Sequence, residues 1–360
     1  MTAPTRKARR ATHALAAVAL TALSLTACGS GGSGVTLDLT AALPEKVPSG
    51  TVLRIGDPAV QADIQAAGLD QQLSAAGVKI EWANLSGGPQ TIQAFRGNKL
   101  DCGAVADIPS LFAAWTGTST KIVFQSVTVD PLDHPTYQLG VAPGVAVTSL
   151  ADLRGKKIAY SAGQAQGALV LRVLQKAGLT QKDVNLVDMA SVTVDTYMTA
   201  LGSKVIDVAP LALQTVGAYQ AKYPAATAIP TGIRDDASTL YCLTKSVQDA
   251  GMAAALKAYV GVRAKALLWE NTHPDDYAKD YLQAVQGLSA DKAAAYMKLR
   301  GKNGIPTTWD DALSRLQATA DLLATEQGHP KLDASTLVDR RFESVEAAAA
   351  GSDVVTGDAS

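Results

Sequence analysis

Four turns in this sequence combine glycine, proline and small polar residues directly after a short apolar run. Each turn leads into a stretch with helical spacing, so its backbone N–H groups would lie free at a helix N-terminus. Such N–H groups and the positive end of the helix dipole bind anionic or strongly polar ligand groups. The turns therefore predict a ligand site, with the candidate residues Asp57, Ser86, Gly87, Gly88, Pro89, Gln90, Asp107, Ile108, Pro109, Ser161, Gly163, Gln164 and Ala165.

Several of these residues also have a purely structural interpretation. Asp107 is a good helix N-cap, with Pro109 near the first helical position, and it can cap the helix, contact a ligand or do both. Gly87 and Gly88 can simply permit a tight turn, and Ser161 can be a helix cap. The sequence alone leaves both interpretations open for each of them.

Charge in the turns restricts the ligand. Asp57 would repel an anion, and none of the four turns contains an arginine. Arg54 lies within a predicted strand and Arg172 within a predicted helix, where we expect them to support packing or ion pairs. A neutral polar or weakly basic solute near Asp57 therefore remains an alternative to an anion.

Alternating strands and helices position the turns at one edge of a sheet. Apolar runs predict strands in two series, near 52–55, 79–84, 101–105 and 121–127, then near 157–160, 185–189, 205–208 and 227–229. Intervening helices make this an α/β fold with mostly parallel strands, and two series predict two lobes. The turns follow strand C-termini, where open α/β sheets bind ligands. After a strand near 240–244, helices are predicted near 247–270, 275–285, 290–299 and 309–325.

A weak internal repeat is consistent with two similar lobes. Residues 94–102 and 200–208 each read as a helix end, a glycine, a lysine, an apolar residue and then an aspartate before a strand. The aspartates are Asp101 and Asp207. Two unrelated turns with the same chemistry would look alike, so the repeat is only supporting evidence for the two lobes.

Composition excludes several classes of protein. With 360 residues, 47% hydrophobic and 18% charged, the chain is neither disordered nor fibrous. A formal net charge of −1 argues against a nucleic-acid partner. Three cysteines and four scattered histidines give no metal-binding spacing, and no nucleotide or nucleophile motif is present. We therefore expect no metal, no cofactor and no enzymatic activity.

The first residues have the order of an export signal. A basic segment precedes an apolar run of about twelve residues, too short to span a bilayer, and Leu25-Thr26-Ala27-Cys28 resembles the bacterial lipobox. The resemblance implies cleavage before Cys28 and lipidation of its thiol. The general secretory route fits better than twin-arginine export. Without its four-cation leader the chain has 28 basic and 33 acidic residues, so the lipid would supply the membrane anchor.

Five further segments have recognisable motifs: 53–56, Gly88-Pro89, Asp107-x-Pro109, 151–159 and 171–179. Together they resemble the sulfonate/nitrate/taurine family of solute-binding lipoproteins of ABC importers. The resemblance implies the type II periplasmic-binding fold, two mixed-sheet lobes with a ligand cleft and C-terminal helices. After Asp207, where the family carries tryptophans, this chain has Val208 to Leu211, and we add Pro210 and Leu211 to the candidate ligand residues.

The same resemblance implies the course of the chain between the lobes. One crossing is expected near Tyr137 to Val141 and the return near Asp236 to Tyr241. The returning strand would lie beside the third strand and bring Cys242 near Cys102. An exported protein can form a disulfide there, although buried free thiols fit equally well.

These expectations combine into one function and one domain plan. The chain would be a monomeric lipoprotein on the outer face of the cell membrane that closes on a small polar organic or anionic solute and delivers it to an ABC permease. Alternatives are a ligand-sensing lipoprotein that presents its ligand to a membrane receptor, and a thiamine-pyrimidine synthase-type enzyme. The predicted divisions are a signal peptide (1–27), a lipidated cysteine and flexible tether (28–50), lobe one (51–138 plus 240–345), lobe two (139–239) and a disordered tail (346–360).

Overall fold

The computed structural model describes residues 36–85, 87–189 and 194–355, with the side chains of residues 194 and 195 left out. The predicted signal peptide, Cys28 and Ser86 lie outside these residues. Within the described part of the chain, no helix is both long enough and apolar enough to cross a membrane.

Lobe one begins with the predicted alternation of strands and helices. Its first elements are β1 (Val52–Gly56), α1 (Pro58–Ala66), α2 (Asp70–Ala75), β2 (Lys79–Trp82), α3 (Gly88–Arg96), β3 (Cys102–Val105), α4 (Ile108–Trp115) and β4 (Thr120–Thr128). The connection between β1 and β2 therefore contains two short helices, α1 and α2. Buried apolar residues of β1, β3 and β4 form the centre of this lobe's core.

Lobe two repeats the alternation around a five-stranded sheet. It contains β5 (Tyr137–Val141), β6 (Lys157–Tyr160), α5 (Ala165–Lys176), β7 (Asn185–Asp188), α6 (Val194–Gly202), β8 (Val208–Ala212), α7 (Leu213–Lys222) and β9 (Thr227–Pro230). The strand order is β7-β6-β8-β5-β9, with β6 parallel to β7 and β8 and with β5 antiparallel to its neighbours. Helix α5 buries seven residues of its apolar side, which fixes it to the sheet.

The remaining chain returns to lobe one. It forms β10 (Ser238–Leu243), α8 (Thr244–Gln248), α9 (Ala250–Thr272), α10 (Pro274–Tyr277), a π-helical segment (Ala278–Gln283), α11 (Ala290–Leu299), β11 (Asn303–Pro306), α12 (Asp310–Gln327), α13 (Glu343–Ala350) and β12 (Val354–Val355). Lobe one's sheet has the order β12-β11-β4-β10-β3-β1-β2. These two mixed sheets with helices give the predicted fold class.

The predicted lobe crossings were placed too far along the chain. Strand β5 pairs on both sides within lobe two's sheet, so the first crossing is the preceding segment, 129–136. The return is 231–237, which precedes β10. Asp235 connects the two crossings, since its carboxylate accepts hydrogen bonds from Thr136 N (2.9 Å) and Tyr137 N (3.0 Å).

The internal repeat has a structural counterpart in the two lobes. Asp101 Oδ2 accepts the backbone N–H of Arg54 in β1 at 2.9 Å, and Asp207 Oδ2 accepts that of Lys157 in β6 at 2.8 Å. Each carboxylate therefore satisfies a backbone donor of the neighbouring strand. The two similar sequence segments therefore make the same hydrogen bond, each in its own sheet.

Cys102 and Cys242 face each other across the antiparallel pair β3–β10. Their Cα atoms are 4.0 Å apart and their sulfur atoms 1.99 Å apart, in a disulfide bond. The alternative of two buried free thiols is therefore not the state of this structure. The bond closes a sequence separation of 140 residues that includes all of lobe two.

Both predicted flexible ends are partly wrong. In the expected tether, Leu37 N donates to Gln248 O at 2.7 Å, and Leu39, Leu43 and Val47 pack on the core. In the expected disordered tail, α13 packs on α9, and β12 pairs with β11. Both segments are held because lobe one's core extends to them; residues 356–360 lie outside the described part.

Candidate functional site

Two adjoining cavities lie between the lobes, next to both crossings. One has a volume of about 260 Å³ and the other about 320 Å³. Residues of the return crossing and of the predicted turns line both cavities: Ala106, Ala165, Asp235, Asp236 and Ala237. The cavities therefore border the C-terminal end of β3, the start of α5 and the return crossing 231–237.

The predicted turns of lobes one and two converge here. Asp107, Ile108 and Ala165 line the smaller cavity. A Cβ built on Gly87 would lie 3.9 Å from Gln164 Nε2 of the other lobe, and one built on Gly163 would lie 3.5 Å from the ring of Phe112. Turns that are distant in sequence thus face each other across the cleft.

Two glycines in these turns are required by close packing. A Cβ on Gly88 would lie 2.7 Å from Cγ of Pro109, so α3 and α4 can start side by side only with glycine there. A Cβ on Gly167 would lie 2.3 Å from the carbonyl oxygen of Ser161, which holds the turn 161–164 against the first turn of α5. Ser161 itself is buried, and its carbonyl accepts from Gln164 N at 3.1 Å.

Other predicted ligand residues are not in the cavities. Asp57 is 3% exposed and pairs with Arg263 Nε at 2.9 Å, so its carboxylate neutralises a buried cation of α9 instead of meeting a solute. Pro210 and Leu211 lie inside β8, paired with β5, and Leu211 belongs to lobe two's core. The described residues that line the two cavities also do not include the other candidates Gly87, Gly88, Pro89, Gln90, Pro109, Ser161, Gly163 and Gln164.

The charged side chains of the smaller cavity were missed by the sequence argument. Besides Asp107, they are Arg172 of α5, Arg234, Asp235 and Asp236 of the return crossing, and Arg315 of α12. Only Arg172 was considered from the sequence, and it was assigned to packing. A charged triplet at 234–236 is common on protein surfaces, so its sequence carried no signal for a cleft.

Arg234 and Arg315 are already neutralised by protein carboxylates. Asp236 Oδ1 lies 2.9 Å from Arg234 Nε and 3.2 Å from Arg315 Nη1, and Asp236 also accepts from Thr128 N. Asp311 lies 3.5 Å from Arg234 and 3.4 Å from Arg315. This network ties α12 to the hinge.

Arg172 differs from these two arginines. Its Nη2 donates to Thr319 Oγ1 of α12, and no carboxylate oxygen of the described residues lies within 4.0 Å of its guanidinium nitrogens. The same Thr319 hydroxyl lies 3.2 Å from Asp107 Oδ2, whose Oδ1 accepts from Ile108 N. Asp107 thus caps α4 and lines the cavity, so both of its predicted roles are compatible.

Asp235 is a partly desolvated carboxylate shared by the two cavities. Burial, which disfavours the charged form, raises its pKa to about 6 against the two backbone hydrogen bonds that lower it. No lysine, arginine or histidine nitrogen of the described part of the chain lies within 4.0 Å of it. It is therefore an acid without an ion-pair partner at the centre of the cleft.

Lobe two is also bonded directly to α12. Gln181 Nε2 donates to the backbone oxygen of Glu326 at 2.7 Å and lies 2.9 Å from its Oε2. Together with the Arg172–Thr319 bond, this contact connects α5 and the turn after it to α12 of lobe one. Opening the cleft would have to break both contacts.

The larger cavity is lined by rings and hydrogen-bonding groups. Tyr137, Gln214, Tyr296 and Arg300 are among them. Arg300 is held by Glu270 at 2.7 Å. No cluster of three or more histidine, cysteine, aspartate or glutamate side chains suitable for a metal ion was found among residues 36–85, 87–189 and 194–355.

Comparison with known proteins gives the family. The NMT1/THI5-like family matches residues 73–284, more than half of the chain. The chain belongs to this family. An Escherichia coli (strain K12) protein named as aliphatic sulfonates-binding is 34% identical over 106 residues, 29% of this chain and 32% of the relative, so the match spans about a third of that relative.

Solved structures share the fold of this NMT1/THI5-like chain. The alkanesulfonate-binding protein SsuA of Xanthomonas axonopodis pv. citri, bound to MOPS, has a TM-score of 0.66 at 22% identity, over 83% of this chain and 99% of its own. The desulfurization enzyme DszB has a TM-score of 0.52 at 16% identity, over 82% and 98%. The fold therefore carries both binding proteins and an enzyme.

Proposed function

We propose that this protein is the solute-binding component of an ABC importer. It captures a small polar organic or anionic solute, of the sulfonate, taurine or nitrate type, between its two lobes and delivers it to a membrane permease. The proposal is a binding role without catalysis or cofactor. The names of the sulfonate-binding relatives support this class of solute.

The position of the cavities is the observation that carries the proposal. They lie between two lobes that are connected by the crossings 129–136 and 231–237, and residues of both lobes and of the return crossing line them. A solute there would contact both lobes at once, and it would stabilise the closed arrangement by the difference between its affinities for the closed and open forms. The closed form would then be the one that the permease recognises.

The place of action is proposed from the N-terminal sequence and the disulfide. The segment Leu25 to Cys28 supports a lipid anchor on the outer face of the cell membrane. The disulfide between Cys102 and Cys242 is consistent with an oxidising compartment. We propose a monomer with the permease and the solute as its partners and with no nucleic-acid partner.

Native mass spectrometry of the purified protein tests this function. We expect a bound small molecule that leaves on mild unfolding, and the same compound should raise the melting temperature when it is added back, by mass action. A screen of sulfonates, nitrate, amines and pyrimidines serves if no solute copurifies. The proposal would be abandoned if no compound bound, or if a bound compound were chemically converted on incubation.

A further inference from the structure

The smaller cavity has an unusual balance of charge for a site that would accept a simple anion. Three arginines and three aspartates line it: Arg172, Arg234, Arg315, Asp107, Asp235 and Asp236. Their formal charges cancel. A nitrate ion or a plain alkanesulfonate would meet three carboxylates as well as three guanidinium groups, and it would gain little from the cavity as a whole.

The six charged side chains of this cavity differ in whether they have an ion-pair partner. Arg234 and Arg315 are held by Asp236 and by Asp311 behind it. Arg172 has a hydroxyl partner but no carboxylate within 4.0 Å, and Asp235 has two backbone N–H partners but no cation within that distance, among the described residues. One cation and one carboxylate of the same cavity are therefore available for opposite charges on a solute.

Asp107 does not change this assignment. Its oxygens accept from Ile108 N and lie near the Thr319 hydroxyl that also binds Arg172, so it faces Arg172 through Thr319. An anionic group at Arg172 would replace or share that hydroxyl. Burial raises the pKa of Asp235 to about 6, and a cationic group beside it would oppose this shift by stabilising the charged carboxylate.

We propose that the solute is a zwitterion, with its anionic group at Arg172 and its protonated amine at Asp235. This inference rests on the proposed solute-binding function and selects the charge type within it. Arg172 comes from lobe two's α5, and Asp235 belongs to the return crossing, so a bound zwitterion connects a lobe to the hinge. The larger cavity, which shares Asp235, accommodates the remainder of the solute.

A matched set of three compounds tests the charge type. Calorimetric titration of the full-length protein at pH 7.5 would compare 3-aminopropanesulfonate, 1-propanesulfonate and propylamine at one ionic strength. Hydrogen bonds to charged groups contribute about 1.5–3 kcal/mol, so we expect 3-aminopropanesulfonate to bind roughly 10- to 150-fold tighter than either one-sign compound. Equal affinity for 1-propanesulfonate, or no binding of any of the three, would overturn the proposal.

Variants assign the two charges to residues. In Arg172→Gln the affinity for 3-aminopropanesulfonate should fall to that of propylamine, and in Asp235→Asn to that of 1-propanesulfonate. Lys176→Gln is the control, since it removes a cation from the same helix one turn further on, where Lys176 is exposed and bonds Gly232 O. Asp235 also bonds the first crossing, so the affinity of Asp235→Asn is compared with wild type only at an equal folded fraction. If Asp235→Asn does not fold, Arg172→Gln alone decides the test.

Failure of this inference is distinguishable from failure of the solute-binding function. Wild-type affinity in Arg172→Gln, or a neutral solute in the cleft, would refute the zwitterion and leave the binding function standing. If no copurified or screened compound binds at all, the function fails as well.

Discussion

Replacing Asp63 by asparagine should stabilise the protein, and the size of the effect follows from burial. Asp63 lies in α1, is 1% exposed, and lies beside the Glu270 carboxylate. Glu270 is itself bound to Arg300 at 2.7 Å. Burial first, and then the neighbouring Glu270 carboxylate, raise the pKa of Asp63 to about 11 from its ordinary value of 3.8. At neutral pH the folded protein therefore holds Asp63 protonated, whereas the unfolded chain ionises it.

The free-energy cost depends on pH in a defined direction. Between the unfolded and folded pKa values the folded state binds one more proton, so unfolding releases it and stability falls by about 1.4 kcal/mol per pH unit. At pH 7 the cost of protonating an acid with a pKa near 3.8 is about 4 kcal/mol. An asparagine at position 63 is neutral in both the folded and the unfolded state, so it avoids the cost of protonation. Its side-chain amide can donate a hydrogen bond to Glu270.

Urea unfolding at pH 5 and pH 8 would measure the effect. We expect Asp63→Asn to gain at most about 2 kcal/mol at pH 5 and about 4 kcal/mol more at pH 8, since the two pH values are three units apart at about 1.4 kcal/mol per unit. Asp70→Asn, at an exposed position on α2, is the control and should change stability by less than about 0.5 kcal/mol. A loss of stability, or a gain that does not grow with pH, would refute the protonated Asp63.

Three further predictions concern other contacts of the structure. Converting both Cys102 and Cys242 to alanine should cost about 4–5 kcal/mol, because the bond closes a separation of 140 residues; unchanged urea midpoints would contradict it. Gly167→Ala should displace the turn 161–164 and weaken solute binding measured by calorimetry, whereas Gly217→Ala in α7, where a Cβ meets nothing within 4 Å, should not. Asp57→Asn should lower the free energy of unfolding by about 3–5 kcal/mol, because it leaves Arg263 buried without a counter-charge. The solute affinity of the folded variant should be unchanged, and a reduced affinity would show that Asp57 contributes to the ligand site.

Local patterns predicted most of the architecture. Apolar runs and Gly/Pro turns locate β1 to β4, β6, β7, β9 and β10, because a strand covered on both faces must be apolar along its length. They place the eighth strand too early, since β8 begins at Val208, where the predicted strand ends, and they miss β11 and β12. The tail was misjudged for a related reason. Helix α13 ends in four alanines, and its own Glu346 is buried, with Oε2 accepting from Gln125 N at 3.0 Å. A short alanine run has no periodicity of its own and depends on that distant contact.

The site was predicted at the level of backbone turns and not of charges. Turns at strand ends lie at one edge of their own sheet, and a two-lobed fold turns the two edges toward each other, so Gly87 and Asp107 of lobe one lie opposite Gln164 of lobe two. The partner of Asp57 is 206 residues away in sequence, and Arg172 reaches the cleft only because α5 packs beside α12. Charge neutralisation between such distant residues leaves no local pattern in a single sequence.

Small-angle scattering with and without the identified solute tests the central claim most directly. If the solute bridges the lobes, its saturation should reduce the radius of gyration, and the reduction should be absent in Arg172→Gln at the same solute concentration. Calorimetry on the same samples would establish occupancy. Confirmed binding with no change in the radius of gyration at any solute concentration would contradict capture between the lobes.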